Sequence, residues 1–160
     1  MNETWIEAAY TISTWILPAI LAITLHEAAH GFVAWRCGDP TARQLGRVTL
    51  NPLKHIDAFG TILLPGLLLL LRVPFIFGYA KPVPVDASRL RHPKRDMVWV
   101  ALAGPVANLL QAILWMVAIY LLSGFDVEER FFIDMAKAGV LTNLVMFAFN
   151  LFPIPPMDGG

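Results

Sequence analysis

The chain has little of what covers a water-soluble surface. Only 15% of its 160 residues are charged, whereas 57% are hydrophobic. A soluble domain of this size exposes more surface than so few polar groups can cover. A polytopic membrane protein is the class that fits. Neither sign of charge is in excess, since twelve Lys and Arg balance twelve Asp and Glu; a polyanionic partner is not indicated, and no nucleic acid is expected. The single cysteine, Cys37, excludes an internal disulfide framework and any cysteine-cluster metal site. Met1, Asn2 and Glu3 place no basic group ahead of the first apolar run, so that run reads as a retained membrane segment and not as a cleaved signal. Internal repeats, low-complexity tracts and the alternation of an outer-membrane barrel are also missing. The length suits one unit, 1–160.

What is present is four apolar blocks. The first runs from about Ala8 to Trp35 and is stopped by glycine, aspartate and proline at 38–40. The second covers Ala58 to Phe77, the third Met97 to Leu122, and the fourth Phe131 to Phe152. A spanning helix needs about 20 apolar residues, which blocks one, three and four supply. Lipid offers the backbone no hydrogen-bond partners, so these blocks are expected to be helical. Block two differs: Pro65-Gly66 interrupts it, Arg72 charges it, and Pro74 follows. Basic residues crowd the connectors on both sides of it, Arg43, Arg47 and Lys54 before, and Lys81, Arg89, Arg91, Lys94 and Arg95 after. Placing both connectors on the cytoplasmic face has block two enter and leave on one side, turning at Pro65-Gly66; the alternative is a kinked spanning helix, which puts one basic connector outside. The expected fold is an all-α polytopic membrane protein, with three spanning helices, a re-entrant hairpin over 58–77 and a short extended segment over 78–90. Its prolines bar that last segment from a sheet centre.

Within block one lies "LHEAAHGF", 25–32, three ionisable side chains in five residues of membrane-grade sequence. Such groups cost about 2.5–3.5 kcal/mol each at membrane depth and are functional by default. His26, Glu27 and His30 form H-E-x-x-H. Residues four apart on a helix lie about 40° apart around the axis, so both imidazoles can reach one tetrahedral zinc while Glu27 serves a water there. A helix end in the headgroup zone, with Glu27 pairing a histidine, is the structural alternative. Two histidines leave a catalytic zinc one protein ligand short. Glu128 and Glu129 fall in the acidic loop on the far face, His55 and His92 read as solvated loop residues, and Asp134 is placed to pair with Lys137. Asp158 remains. It closes "NLFPIPPMDGG", 150–160, where three prolines forbid regular helix, and the expected topology brings it to the same face as His30. Asn108 in block three could donate to a tetrahedral oxyanion or act as interhelical glue with Gln111; the residues alone leave both open.

Three stretches together resemble the site-2 protease family of intramembrane zinc metalloproteases, in its minimal form without a PDZ or CBS domain. "HEAAHG" (26–31) is similar to the family's first signature, "NLFPIPPMDGG" to its second, and "AGPVANLL" (103–110) to a third stretch whose asparagine lies near the active site, here Asn108. "FGYAKPVPV" (77–85) is also similar to a family segment, near which a substrate pairs as an added strand. The resemblance implies one Zn2+ per chain held by His26, His30 and Asp158, with Glu27 as general base and Asn108 beside the reacting atoms. It implies an endopeptidase that cuts in or near the transmembrane helix of a membrane-protein substrate, in the lipid bilayer of the cell membrane, with its active site toward the cytoplasm. Family members usually add a helix after the aspartate-glycine signature, whereas this chain ends at Gly160; on that comparison 1–160 is a core truncated at its C-terminus, or a weakly active lone copy. A metal-binding carrier or scaffold without hydrolysis needs the three ligands but not Glu27, and a purely structural subunit needs neither.

Overall fold

The computed structural model describes residues 2–71, 80–125, 127, 129–152 and 158. In chain order the helices are α1 (Asn2–Arg36), the single turn α2 (Thr41–Gln44), α3 (Leu64–Leu70), α4 (Pro93–Gly124) and α5 (Arg130–Asn150). Three of them, α1, α4 and α5, are long and apolar enough to cross a membrane. At 35 residues, α1 is roughly 50 Å long and extends well beyond a hydrocarbon core of about 30 Å.

These three helices pack against one another in every pairing, and the bundle is inside-out relative to a soluble one. Small and polar side chains fill its centre: Ala22, Ala28 and Ala34 from α1, Ala112 from α4, and Ala136 and Ala138 from α5, with Asn108 and Asn143 fully enclosed. Large apolar groups such as Ile16, Leu114 and Val117 point outward. Lipid is as apolar as leucine, so helices in a bilayer associate through close backbone approach and polar contacts. Gly139 on α5 makes room for a side chain of α4. A Cβ there would collide with the Trp115 indole.

The connectors 37–57 and 80–92 pack together at the end of α1 that carries the histidines. Lys81 donates its N–H to His55 O (3.0 Å), Arg91 to Cys37 O (3.0 Å), and Asp86 to Asp39 Oδ2 (2.7 Å). Ala34, Leu90 and Val100 close a small apolar core beneath them. Burial pushes the Asp39 carboxyl up, but the Thr41 hydroxyl and the N–H groups of Asp86 and Thr41 outweigh it and hold it below the usual carboxylate range.

One expectation is revised here, the turn at Pro65-Gly66, and a strand edge over 78–90 is not confirmed. The chain does not reverse at Pro65-Gly66: a π-helical turn, Ala58–Leu63, leads directly into α3. Pro65 has no N–H to give the preceding turn, and the π-helical turn lies directly before it. The Asp57 carboxylate starts this helix by accepting from the N–H groups of Phe59 (3.0 Å) and Gly60 (2.7 Å). From Ala58 to Leu70 the helical stretch rises roughly 20 Å, less than a bilayer crossing; residues 72–79, where it would return, lie outside the described residues. The extended segment forms no strand among the described residues. Pro82 and Pro84 have no N–H to give a ladder, and the Lys81 and Val83 N–H groups and the Lys81 carbonyl are taken by His55, Glu27 and Arg47.

Gly139→Ala is expected to lower stability by about 1–3 kcal/mol through overpacking, read as a lower midpoint of thermal unfolding in detergent. The depressed Asp39 carboxyl contributes stability that is complete above its ordinary pKa of about 4 and fades as pH falls below it. Protection of the Asp86 amide from exchange, corrected for intrinsic rate, is therefore expected to drop over that acid range.

Candidate metal centre

His26 and His30 lie on one face of α1, a turn apart, where the helix meets α4. Their Nε2 atoms are 3.1 Å apart. Asp158 Oδ2 lies 2.9 Å from His26 Nε2 and 3.2 Å from His30 Nε2. The three donor atoms thus form a nearly equilateral triangle, brought together from chain positions 26, 30 and 158. Residues 153–157, with the prolines expected to break the helix there, lie outside the described residues.

The far side of each ring fixes its tautomer. His26 Nδ1 is 2.5 Å from Asn108 Oδ1, and His30 Nδ1 is 2.7 Å from the Val100 carbonyl. Both partners are acceptors, so both imidazoles donate from Nδ1. Neutral rings of that tautomer carry lone pairs at Nε2. Two nitrogen lone pairs and a carboxylate oxygen then converge on one space with no hydrogen among them, and Asp158 Oδ2 has no hydrogen-bond partner among the described residues. Such a cluster is repulsive unless a cation sits in it. A tetrahedral zinc with bonds of about 2.0–2.1 Å sets its ligands about 3.3 Å apart, close to the separations observed. The residues present fit a zinc ion.

Helix α4 presses directly against this cluster because residue 104 is glycine. A Cβ at Gly104 would lie 2.6 Å from His26 Nε2 and closer still to His30 Nε2. Pro105 follows, buried, and returns no N–H to Ala101.

Asn108 carries a relay across the bundle. Its Oδ1 accepts from His26, while its Nδ2 donates to the Ala22 carbonyl (3.3 Å) and to Asn143 Oδ1 (2.8 Å). Asn143 Nδ2 in turn donates to the Gly139 carbonyl (2.9 Å). The carbonyl acceptors orient both amides, and all three long helices are tied to one imidazole. Gln111, the partner considered for Asn108, is buried with Nε2 unpartnered among the described residues. The N–H groups of Asn108 are already engaged, which leaves none pointing at a developing oxyanion.

Glu27, next along α1, accepts the Val83 N–H at Oε2 (2.9 Å). His55 is not solvated as expected: it is 1% exposed, with Nε2 3.0 Å from Thr49 O. His92 is exposed at the start of α4, and Asp134 does lie near Lys137 (3.8 Å), with Arg130 (3.4 Å) and the Tyr10 hydroxyl (3.0 Å) nearer. Gly104, Asn143 and the Val100 carbonyl were not singled out by the sequence. An amide inside block four was the one available signal for Asn143, since buried polar groups in membranes seek each other.

The family profile described as Peptidase family M50 matches residues 14–140. Among curated proteins, "Putative zinc metalloprotease YwhC" of Bacillus subtilis is 38% identical over 153 residues, covering 90% of this chain and 64% of that protein. "Putative zinc metalloprotease Rip2" of Mycolicibacterium smegmatis is 33% identical over 148 residues, covering 88% and 52%. The Mycobacterium tuberculosis protein of the same name is 33% identical over 141 residues, with the same coverage. The chain spans between 52% and 64% of the length of these relatives. No solved structure matches it.

Asn108→Ala frees the His26 ring and is expected to weaken zinc binding about 10–100-fold, measured by competition against a chelator of known affinity. Asn143→Ala is expected to shift it in the same direction by less, because it acts one bond further away.

Proposed function

The chain belongs to Peptidase family M50, the site-2 protease family, and from that premise we propose that it is a zinc endopeptidase hydrolysing a peptide bond in or near the transmembrane segment of a membrane protein. The observation that carries this reading is the donor triangle of His26, His30 and Asp158 with both Nδ1 atoms already bonded. Such a set holds one Zn2+ per chain. Zinc, when bound, polarises the scissile carbonyl and lowers the pKa of water to about 7.

The protein's own groups do the rest. Glu27 takes the proton of the attacking water and returns it to the leaving amine, so a single carboxylate serves as base and then as acid. Asn108 and the Val100 carbonyl hold the two imidazoles in the ligating tautomer; Asn108 is on this reading a positioning residue. Gly104 lets α4 approach without a side chain filling the reaction space. A cleft of about 540 Å³ reaches Asp158 between α4 and the end of α5, lined by Met97, Val98, Ala101, Leu102, Pro105 and Asn150. Its apolar walls suit an unwound stretch of a lipid-embedded helix.

The protein is an integral membrane protein, and the reading places its active site on the cytoplasmic side of the cell membrane. Two features support that side. Basic residues concentrate in the connectors on either side of block two, and the described parts of those connectors pack together at the end that holds the histidines. Block two, too short in its described part to cross, is on this reading re-entrant.

Glu27→Gln separates a protease from a carrier. Zinc content near one per chain by elemental analysis is expected in wild type and in Glu27→Gln, while hydrolysis falls about 10²–10⁴-fold in the variant. Asp158→Ala is expected to lose the metal. A folded wild type without metal, or a Glu27→Gln variant with undiminished hydrolysis, contradicts the reading.

A further inference from the structure

The stretch 81–84 reads Lys-Pro-Val-Pro. Pro82 and Pro84 have no N–H, so Val83 holds the one backbone donor between Lys81 and Val85, and that donor goes to Glu27 Oε2 at 2.9 Å. The carbonyl of the same peptide unit, Pro82 O, lies 3.4 Å from Arg47 Nη2, and the preceding carbonyl, Lys81 O, lies 2.5 Å from it. The Pro82–Val83 peptide therefore sits between a guanidinium and a carboxylate. Its oxygen faces the cation and its N–H the anion.

Arg47 needs such an arrangement. It is 8% exposed, its Nε has no hydrogen-bond partner, and it makes no ion pair among the described residues. A buried charge is costly unless it is answered. Through one polarised peptide group, Glu27 answers it. Hydrogen bonds in series strengthen one another in a low dielectric, so the cation on one side makes Val83 a better donor on the other.

We propose that Arg47 is a positioning residue for the reaction, which holds the 81–83 strap and, through the Pro82–Val83 peptide, orients and charge-balances Glu27. The proposal rests on Glu27 being the general base. Anchoring Oε2 leaves Oε1 as the proton acceptor and removes the rotation that would carry it out of reach. The strap is seated from every side. Lys81 N–H is held by His55 O (3.0 Å) and Asp86 N–H by Asp39 (2.7 Å). One turn beyond Glu27, Gly31 leaves room for Val83 Cγ1, which would meet a Cβ there at 3.1 Å. Two flanking prolines keep the strap extended and unable to fold back on its own carbonyls.

The test uses the full zinc-loaded chain in detergent, with two readouts. The first is amide exchange by mass spectrometry. Val83 holds the only exchangeable amide of residues 82–84, so its protection is read without overlap. Glu27→Ala and Arg47→Gln are each expected to speed that exchange at least about tenfold, with zinc content unchanged. The second is turnover of a quenched-fluorescence peptide built around an apolar helix. Val83→Pro, which deletes the N–H, and Arg47→Gln are expected to lower kcat at least about tenfold with KM little changed. Arg47→Lys, which keeps the charge and one donor nitrogen, recovers most of that loss, and Val83→Ala, which keeps the N–H, falls by less than Val83→Pro. Val83 exchange that ignores Glu27→Ala overturns the proposal, as does wild-type kcat in Val83→Pro or zinc loss in Arg47→Gln. Undiminished hydrolysis in Glu27→Gln instead overturns the base assignment, which the exchange experiment does not use.

Discussion

The structure turns on where two imidazole protons go. No water in a bilayer interior satisfies a polar group that the protein leaves alone, so each Nδ1–H must find an acceptor within the bundle. His30 uses a helix carbonyl, Val100 O, and His26 uses the side chain of Asn108. Once those protons are placed, both Nε2 lone pairs are forced toward the same point, and Asp158 completes a cluster that only a cation makes stable. The small residues of the bundle follow from the same requirement. Gly104 and Gly139 let α4 come close enough to both neighbours for bonds of about 3 Å to form across it.

Around this centre the loops behave as rigid parts. The 37–57 and 80–92 connectors share no regular ladder, yet each backbone donor at Lys81, Val83 and Asp86 has a specific acceptor. Proline supplies the stiffness that a sheet would otherwise give. The result is an extended strap with backbone groups bonded to His55, Glu27, Arg47 and Asp39.

The long helices and the meeting of His26 with His30 were legible in the sequence because each depends on a local pattern. Runs of about 20 apolar residues set α1, α4 and α5, and four-residue spacing on a helix set the His26–His30 pair. Asp158 was reached by elimination among acids. What was not legible depends on pairing across the chain. Pro65-Gly66 looks like a turn locally, but the helix started by Asp57 runs on through it. His55 sits in a polar connector, yet the folded connectors bury it. Asn108 offered two roles, and only the position of Asn143 on another helix shows where its N–H groups point.

The relay from Gly139 through Asn143 and Asn108 to His26 also bears on how the protein is made. Helix α1 leaves the ribosome before α4 and α5 and carries His26, Glu27 and His30 before the partners described above exist. Insertion must therefore tolerate three unsatisfied polar groups until α4 is in place, and the amide that orients His26 stays half-bonded until α5 follows. Synthesis itself keeps the nascent protein from holding the finished cluster. The cluster of His26, His30 and Asp158 is assembled only when α5 and the aspartate beyond it have been added.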